Sequence, residues 1–235
     1  METSPNNLAD YKHPIVRSKA LELTNNQTSI REKVAAIFHY VRDDIKFAFP
    51  KEGDFVKASK TIEYGYGQCN TKGTLFIALC KAIDIEARIH FSLIKKDIQK
   101  GLFSGIAFWL MPKYISHSWA EVKIDEKWVK IDSYINDKQF YEVGKKKLKE
   151  KNWDIGYSVA CSKNESSINL DLDNEKFVQM DAVIGDHGVY DEPIVYYKSS
   201  KYKNRPNVLK NFFYRLWVGR INKKVEKLRY SCANN

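Results

Sequence analysis

The sequence predicts an α+β domain, and three features carry that prediction: a capped amphipathic helix near the N-terminus, a cysteine that opens an apolar helix after a glycine-rich loop, and an alternating hairpin downstream. Ser29 and Glu32 form a capping-box pattern. Ile30, Val34, Ile37, Val41 and Ile45 then recur at helical spacing, so a helix is predicted over 30–44. Phe47, Phe49 and Pro50 end it in an extended segment, and 54–64 reads as a short helix closed by Gly65.

The segment Tyr64-Gly65-Tyr66-Gly67-Gln68-Cys69 comes next, followed by the apolar run Leu75-Phe76-Ile77-Ala78-Leu79-Cys80. This order places a thiol at the N-terminus of a buried helix over 70–83. Unpaired N–H groups and the positive end of the helix dipole favour thiolate there, and thiolate is the nucleophilic form.

Residues 87–94 read as a strand, and 95–112 as a longer connection with Gly101 and Gly105, long enough to serve as a flap. Residues 118–124 and 127–132 alternate about Asp125-Glu126 and predict a hairpin with a two-residue turn. From 136 to 176 the chain is polar and rich in Lys and Glu, and one helix is expected within it. Asp171 to Glu175 superficially suggests a calcium loop, but Lys176 stands where such a loop needs Gly, so a turn or capped helix start is expected.

At 235 residues, 43% hydrophobic and 13% aromatic, the chain can bury a full core. No apolar stretch approaches the roughly 18 residues that span a bilayer. Met1-Glu2-Thr3-Ser4-Pro5 has neither the basic nor the apolar region of a signal peptide, so a cytoplasmic protein is expected. Cys69, Cys80, Cys161 and Cys232 match neither zinc spacing nor a dense disulfide framework. Reduced thiols follow, with Cys80 a small core residue. No metal and no organic cofactor is implied.

A cysteine nucleophile needs a base, and the base needs an orienting acceptor. His117 and Asp132 are the candidates. If the hairpin turns at Asp125-Glu126, residue 124 pairs with 127, which sets 119 against 132 and puts His117 and Asp132 on one face. A three-residue loop would put them on opposite faces. Taken singly, each has an ordinary structural role as well. His13, His39, His90 and His187 are assigned structural places, His187 in a turn spanning 185–188. Trp119, on the His117 face, is a candidate to line a cleft, whereas Trp128 is expected to pack the sheet.

These residues sit in a longer pattern that resembles the transglutaminase-like superfamily of papain-like cysteine enzymes. The segments are Tyr66-Gly67-Gln68-Cys69, the helix through Leu75, Leu79 and Ala82, Ile85-Glu86-Ala87-Arg88, His117-Ser118-Trp119-Ala120-Glu121-Val122 and Trp128-Val129-Lys130-Ile131-Asp132. Lys33 to Ile45, with Tyr40-Val41-Arg42-Asp43, resembles the helix that precedes this core in microbial members.

The resemblance implies a papain-like core: N-terminal helices, a nucleophile helix packed on an antiparallel sheet, and here a C-terminal amphipathic helix. It also implies that Cys69, His117 and Asp132 act as nucleophile, general base and orienting carboxylate. Gln68, Trp119 and Tyr66 are then candidates for substrate or oxyanion contacts, beside the backbone N–H of Cys69. Asn70 stands where animal cross-linking enzymes have Trp. Asp84 and Glu126 stand where Gly is common, and Glu86 where Pro is common.

The net charge of +10 is unevenly spread: ten basic residues lie between 201 and 230 against Glu226 alone. Leu209, Phe212, Phe213, Leu216, Trp217, Ile221, Val225 and Leu228 recur there at helical intervals. Two readings stand: a helix docked on its own domain, or contact through 207–230 with an anionic membrane surface or an acidic partner. Nucleic acid is not the expected partner, because the rest of the chain is near neutral.

The organisation expected is a catalytic domain over 1–200, with its core at about 30–140, and a basic tail over 201–235. The function expected is acyl transfer on a peptide or protein amide through a thioester, with hydrolysis preferred. The alternatives are a true cross-linking transglutaminase and a non-catalytic binding module that works through its tail.

Overall fold

The computed structural model describes residues 7–161, 166–205 and 208–231, without the side chains of 208–210. Residues 1–5, Cys232 and the side chains of Leu209 and Lys210, all used in the sequence reading, lie outside the described residues.

Helix α1 (Pro14–Thr24) begins with Pro at its first position and is capped by His13. Helix α2 (Ile30–His39) has the predicted capping box, with Glu32 N donating to Ser29 Oγ and Ser29 N to Glu32 Oε2. One π-helical turn, Tyr40–Asp44, completes the predicted length. Strand β1 (Lys46–Phe47) leads to α3 (Ala58–Tyr64), which starts four residues later than expected and ends at Gly65 in the left-handed region, φ 65°. Strand β2 (Tyr66–Gly67) pairs parallel with β1 and delivers the chain into α4 (Cys69–Lys81).

Every residue of α4 from Asn70 to Cys80 is buried, even Lys72, whose ammonium donates to the Arg42 carbonyl and whose pKa burial pulls down to about 7. A helix buried all round has to be the centre of the domain, with elements on every side.

Strand β3 (Ala87–Lys95) follows, then α5 (Gly105–Trp109) within the long connection. Strands β4 (Tyr114–Ile124) and β5 (Lys127–Ile131) form the hairpin. Its register, Ile124 with Lys127 and Ala120 with Ile131, is the one a two-residue turn requires. Strand β4 starts four residues before the predicted segment because 114–117 pair with β3 rather than β5.

Helix α6 (Lys138–Lys151), the short pair β6 (Ile155–Gly156) and β7 (Val159–Ala160), and β8 (Val183–Tyr190) complete the middle of the chain. The main sheet is antiparallel, in the order β5-β4-β3-β8. Strand β8 corrects the expectation of a turn at 185–188. Phe91 pairs with Gly188 and Ser92 with Asp186, so His187 is the extra residue of a β-bulge, and Gly188 takes φ 88°. Gly188 serves the bulge, while Gly185 pairs with Leu93 in the ladder.

Ile89 faces Ala120 and Phe91 faces Ser118, so these side chains share one side of the sheet, and α4 covers it. A Cβ on Gly73 would lie 3.3 Å from Ser118 Oγ and 3.4 Å from Ile89 Cδ1. The other side carries His117, Trp119, Glu121, His90 and Ser92. A second apolar cluster of Ile94, Ile98, Ala160 and Ala182 packs with Ile115 and Ile155.

Helices α7 (Pro193–Lys198) and α8 (Val208–Arg229) end the described chain. Helix α8 docks on the domain through buried Val218, Ile221 and Val225. Arg229 forms a buried ion pair with Asp137, Nη2 to Oδ2 at 2.9 Å, and also donates to the Phe47 carbonyl. Asn222 exchanges two hydrogen bonds with the Phe49 backbone, and the Tyr214 hydroxyl donates to the Pro50 carbonyl. Among the described residues no helix is long and apolar enough to cross a membrane.

Candidate active site

Gln68 organises the start of α4. Its Oε1 accepts from Asn70 N at 3.1 Å and from the Cys69 thiol at 2.9 Å, while its own N–H donates to Thr71 Oγ1. The amide nitrogen donates to Asp54 Oδ1 at 2.6 Å, and Asp54 Oδ2 accepts from the Tyr202 hydroxyl at 2.8 Å. With both ends of its amide engaged, Gln68 positions Cys69 rather than presenting a free donor.

The thiol sits half-buried at the edge of β4. Burial raises its pKa, the Asp54 carboxylate adds to the rise, and the N–H groups of Ser118 and Asn70 oppose it. The balance is upward, against the expectation from the helix terminus alone. Desolvation and a neighbouring carboxylate outweigh the stabilising N–H groups here.

His117 is the residue before Ser118, whose N–H meets the Cys69 sulfur, and strand alternation turns its side chain to the opposite face of the sheet from that of Ser118. The imidazole is fully buried and neither ring nitrogen has a hydrogen-bond partner. Burial pushes its pKa down to about 3, which keeps the ring neutral. Trp119 is buried on the same face, 6.1 Å from the His117 ring and stacked on His90 at 4.2 Å. His90 in turn bridges Glu121 and Asp186, each at 2.7 Å. Tyr66 is half-buried on β2, within the segment that leads to Cys69, and stacks on Tyr64 at 5.5 Å.

Asp132 is fully buried just past β5. Its oxygens accept from Val178 N at 2.6 Å and Gln179 N at 2.8 Å. Burial nonetheless pushes its pKa up to about 7, with those backbone bonds opposing. Asp132 is close enough to Cys69 for its charge to raise the thiol, yet it is hydrogen-bonded to the 178–179 backbone and not to His117. The Met180 N–H also bonds the carboxylate, a third backbone donor that works against the rise.

Sequence reasoning missed Asp54, Tyr202 and the 178–179 backbone. Nothing local marks them, since they approach Cys69 and Asp132 from distant parts of the chain. Asn70, noted only as a departure, is buried and contacts Ser116 Oγ at 3.5 Å. Among the described residues no three His, Cys, Asp or Glu side chains gather in a metal-binding cluster.

A helix-borne cysteine set against an antiparallel sheet that carries histidine and aspartate defines a papain-like α+β fold. Residues 17–133, which contain all three, match the transglutaminase-like superfamily, and through this half of its length the chain belongs to it. Three solved structures are similar. The "Putative Cysteine Protease from Cytophaga hutchinsonii" is 21% identical over 55% of this chain and 39% of its own, with a TM-score of 0.43. A "putative protease" from Parabacteroides distasonis is 14% identical over 53% and 25%, TM-score 0.37. A structure titled as a TGase is 18% identical over 56% and 32%, TM-score 0.34. The chain thus spans well under half the length of each. No curated protein matches it.

Proposed function

We propose that this protein is a cysteine-dependent enzyme acting on an amide bond of a peptide or protein, with Cys69 as nucleophile, His117 as general base and acid, and Asp132 as the orienting carboxylate. The observation that carries this reading is the buried imidazole of His117, unpartnered at both nitrogens and next in sequence to the N–H that meets the Cys69 sulfur. A buried ring with two unmet polar atoms costs stability, so a structural role alone accounts for it poorly.

In the reaction, the thiol proton passes to His117 while Sγ attacks the carbonyl carbon. The amine leaves with the proton returned by His117, giving a thioester on Cys69. Water then adds with His117 as base, releasing a carboxylic acid and restoring the thiol. Asp132 stabilises the transient imidazolium, and the N–H of Cys69 is the candidate oxyanion donor. Hydrolysis is preferred to cross-linking because Asn70 follows the nucleophile. The free thiols of Cys69, Cys80 and Cys161 support a reducing, cytoplasmic setting.

A second reading, a non-catalytic module on the same fold, draws on one observation: Asp132 is bonded to the 178–179 backbone instead of to His117. Iodoacetamide labelling of Cys69 across pH, with sites located by mass spectrometry, separates the two. Labelling that collapses in His117→Ala supports the enzyme; slow labelling equal in both supports the module. Amine incorporation exceeding hydrolysis in a product assay would overturn the choice of water as acceptor.

A further inference from the structure

Helix α8 has two sides with different partners. Its inner side is occupied: Val218, Ile221, Val225 and Arg229 pack on the domain. Its outer side carries Phe212, Leu216, Arg220, Lys223 and Lys227, spaced at four, four, three and four residues, which is one continuous stripe on a helix. All five are exposed, and the large apolar members are exposed to an extent unusual for their type: Phe212 at 58%, Leu216 at 54%, and neighbouring Phe213 at 40%. The stripe is apolar in its first turns and cationic in its later ones. It contains no acidic residue.

We infer that this outer face of α8 docks on an anionic lipid surface, with Phe212, Phe213 and Leu216 entering the headgroup boundary and Arg220, Lys223 and Lys227 lying over lipid phosphates and carboxylates. The helix, at roughly 1.5 Å per residue, lies along the surface rather than through it. Charge complementarity selects the occupant. The run from 201 to 230 has ten basic residues against one acidic, and with Arg229 neutralised by buried Asp137 the other nine leave a field of predominantly positive sign suited to a dense anionic surface. The apolar turns select further: a bilayer accepts two phenylalanines and a leucine anywhere along its boundary, whereas an acidic protein needs a matching pocket. The inner-face contacts hold the helix in place before it meets the surface, so little ordering entropy opposes binding.

The test is sedimentation of the full chain with phosphatidylcholine vesicles, with and without phosphatidylserine. Partitioning at least about tenfold stronger on the anionic vesicles, weakened by added salt, is expected. Phe212→Ser with Leu216→Ser, and separately Arg220→Gln with Lys223→Gln and Lys227→Gln, should each reduce partitioning by about tenfold or more. Thermal melts should be unchanged, because every substituted residue is exposed. Equal binding to both vesicle types overturns the inference without need of a variant. Loss in the charge variant with none in the apolar variant overturns insertion. Binding to polyglutamate without binding to vesicles assigns the face to an acidic protein and also overturns it.

Discussion

Gln68 Nε2 donates to Asp54 Oδ1 at 2.6 Å, which ties the residue before the candidate nucleophile to a carboxylate fourteen positions upstream. Tyr202 holds the other oxygen of the same carboxylate. Through Tyr214 and Asn222, helix α8 grips Phe49 and Pro50 at the start of the segment that carries Asp54. The C-terminal part of the chain is thereby built into the surroundings of Cys69.

Removing the Asp54 charge should make Cys69 more reactive. The carboxylate disfavours a neighbouring thiolate, so Asp54→Asn lowers the thiol pKa while the new amide oxygen still accepts from Gln68. The iodoacetamide rate profile is expected to move to lower pH. A shift to higher pH would show that Asp54 acts on Cys69 through Gln68 placement instead of through charge.

Arg229→Ala leaves Asp137 buried without its cation, although Phe47 N and Phe140 N still donate to it. Breaking one side of such a pair costs about 3–5 kcal/mol. Urea unfolding should show that loss, and Asp137→Asn in the same background should recover part of it. A loss below about 1 kcal/mol would mean that α8 is held by its apolar face alone.

Asp132 and His117 impose opposite pH dependences. Asp132 has its folded pKa raised to about 7, so the native state holds a proton that the unfolded chain has lost above about 4, and stability falls as pH rises between them. His117 has its folded pKa lowered to about 3, so the unfolded chain takes the extra proton and stability falls as pH drops from about 6.5. Each slope is at most about 1.4 kcal/mol per pH unit, and in the intact protein they cancel between about 4 and 6.5. Urea midpoints should therefore fall with rising pH in His117→Gln and rise with pH in Asp132→Asn. Slopes of the reverse sign would indicate that both groups are charged in the resting protein.

Asp84 and Glu126 occupy left-handed backbone, at φ 60° and φ 63°. Non-glycine residues pay roughly 1 kcal/mol for that conformation, so Asp84→Gly and Glu126→Gly are each expected to stabilise by about 0.5–1 kcal/mol in denaturant titrations. Neutral or destabilising outcomes would show that the Lys123–Glu126 ion pair at 3.1 Å, or the flexibility gained by the unfolded chain, dominates.

The parts of this protein legible in its sequence are those that short-range chemistry decides. The Ser29–Glu32 box starts α2, Gly65 ends α3, and a two-residue turn puts Ile124 opposite Lys127, because each depends on neighbours within a few residues. The order of Cys69, His117 and Asp132 was legible for the same reason: each lies in a short motif whose residue types can be read in place. What the tertiary structure alone decided came from contacts across long stretches of chain. Strand β8 formed because β3 had a free edge, which overrode the turn tendency of Gly185 and Gly188. The thiol became harder to ionise because Asp54 and the surrounding core reached it, and Asp132 took its hydrogen bonds from Val178 and Gln179. Burial and long-range charge depend on what the fold brings near, and no local pattern encodes that.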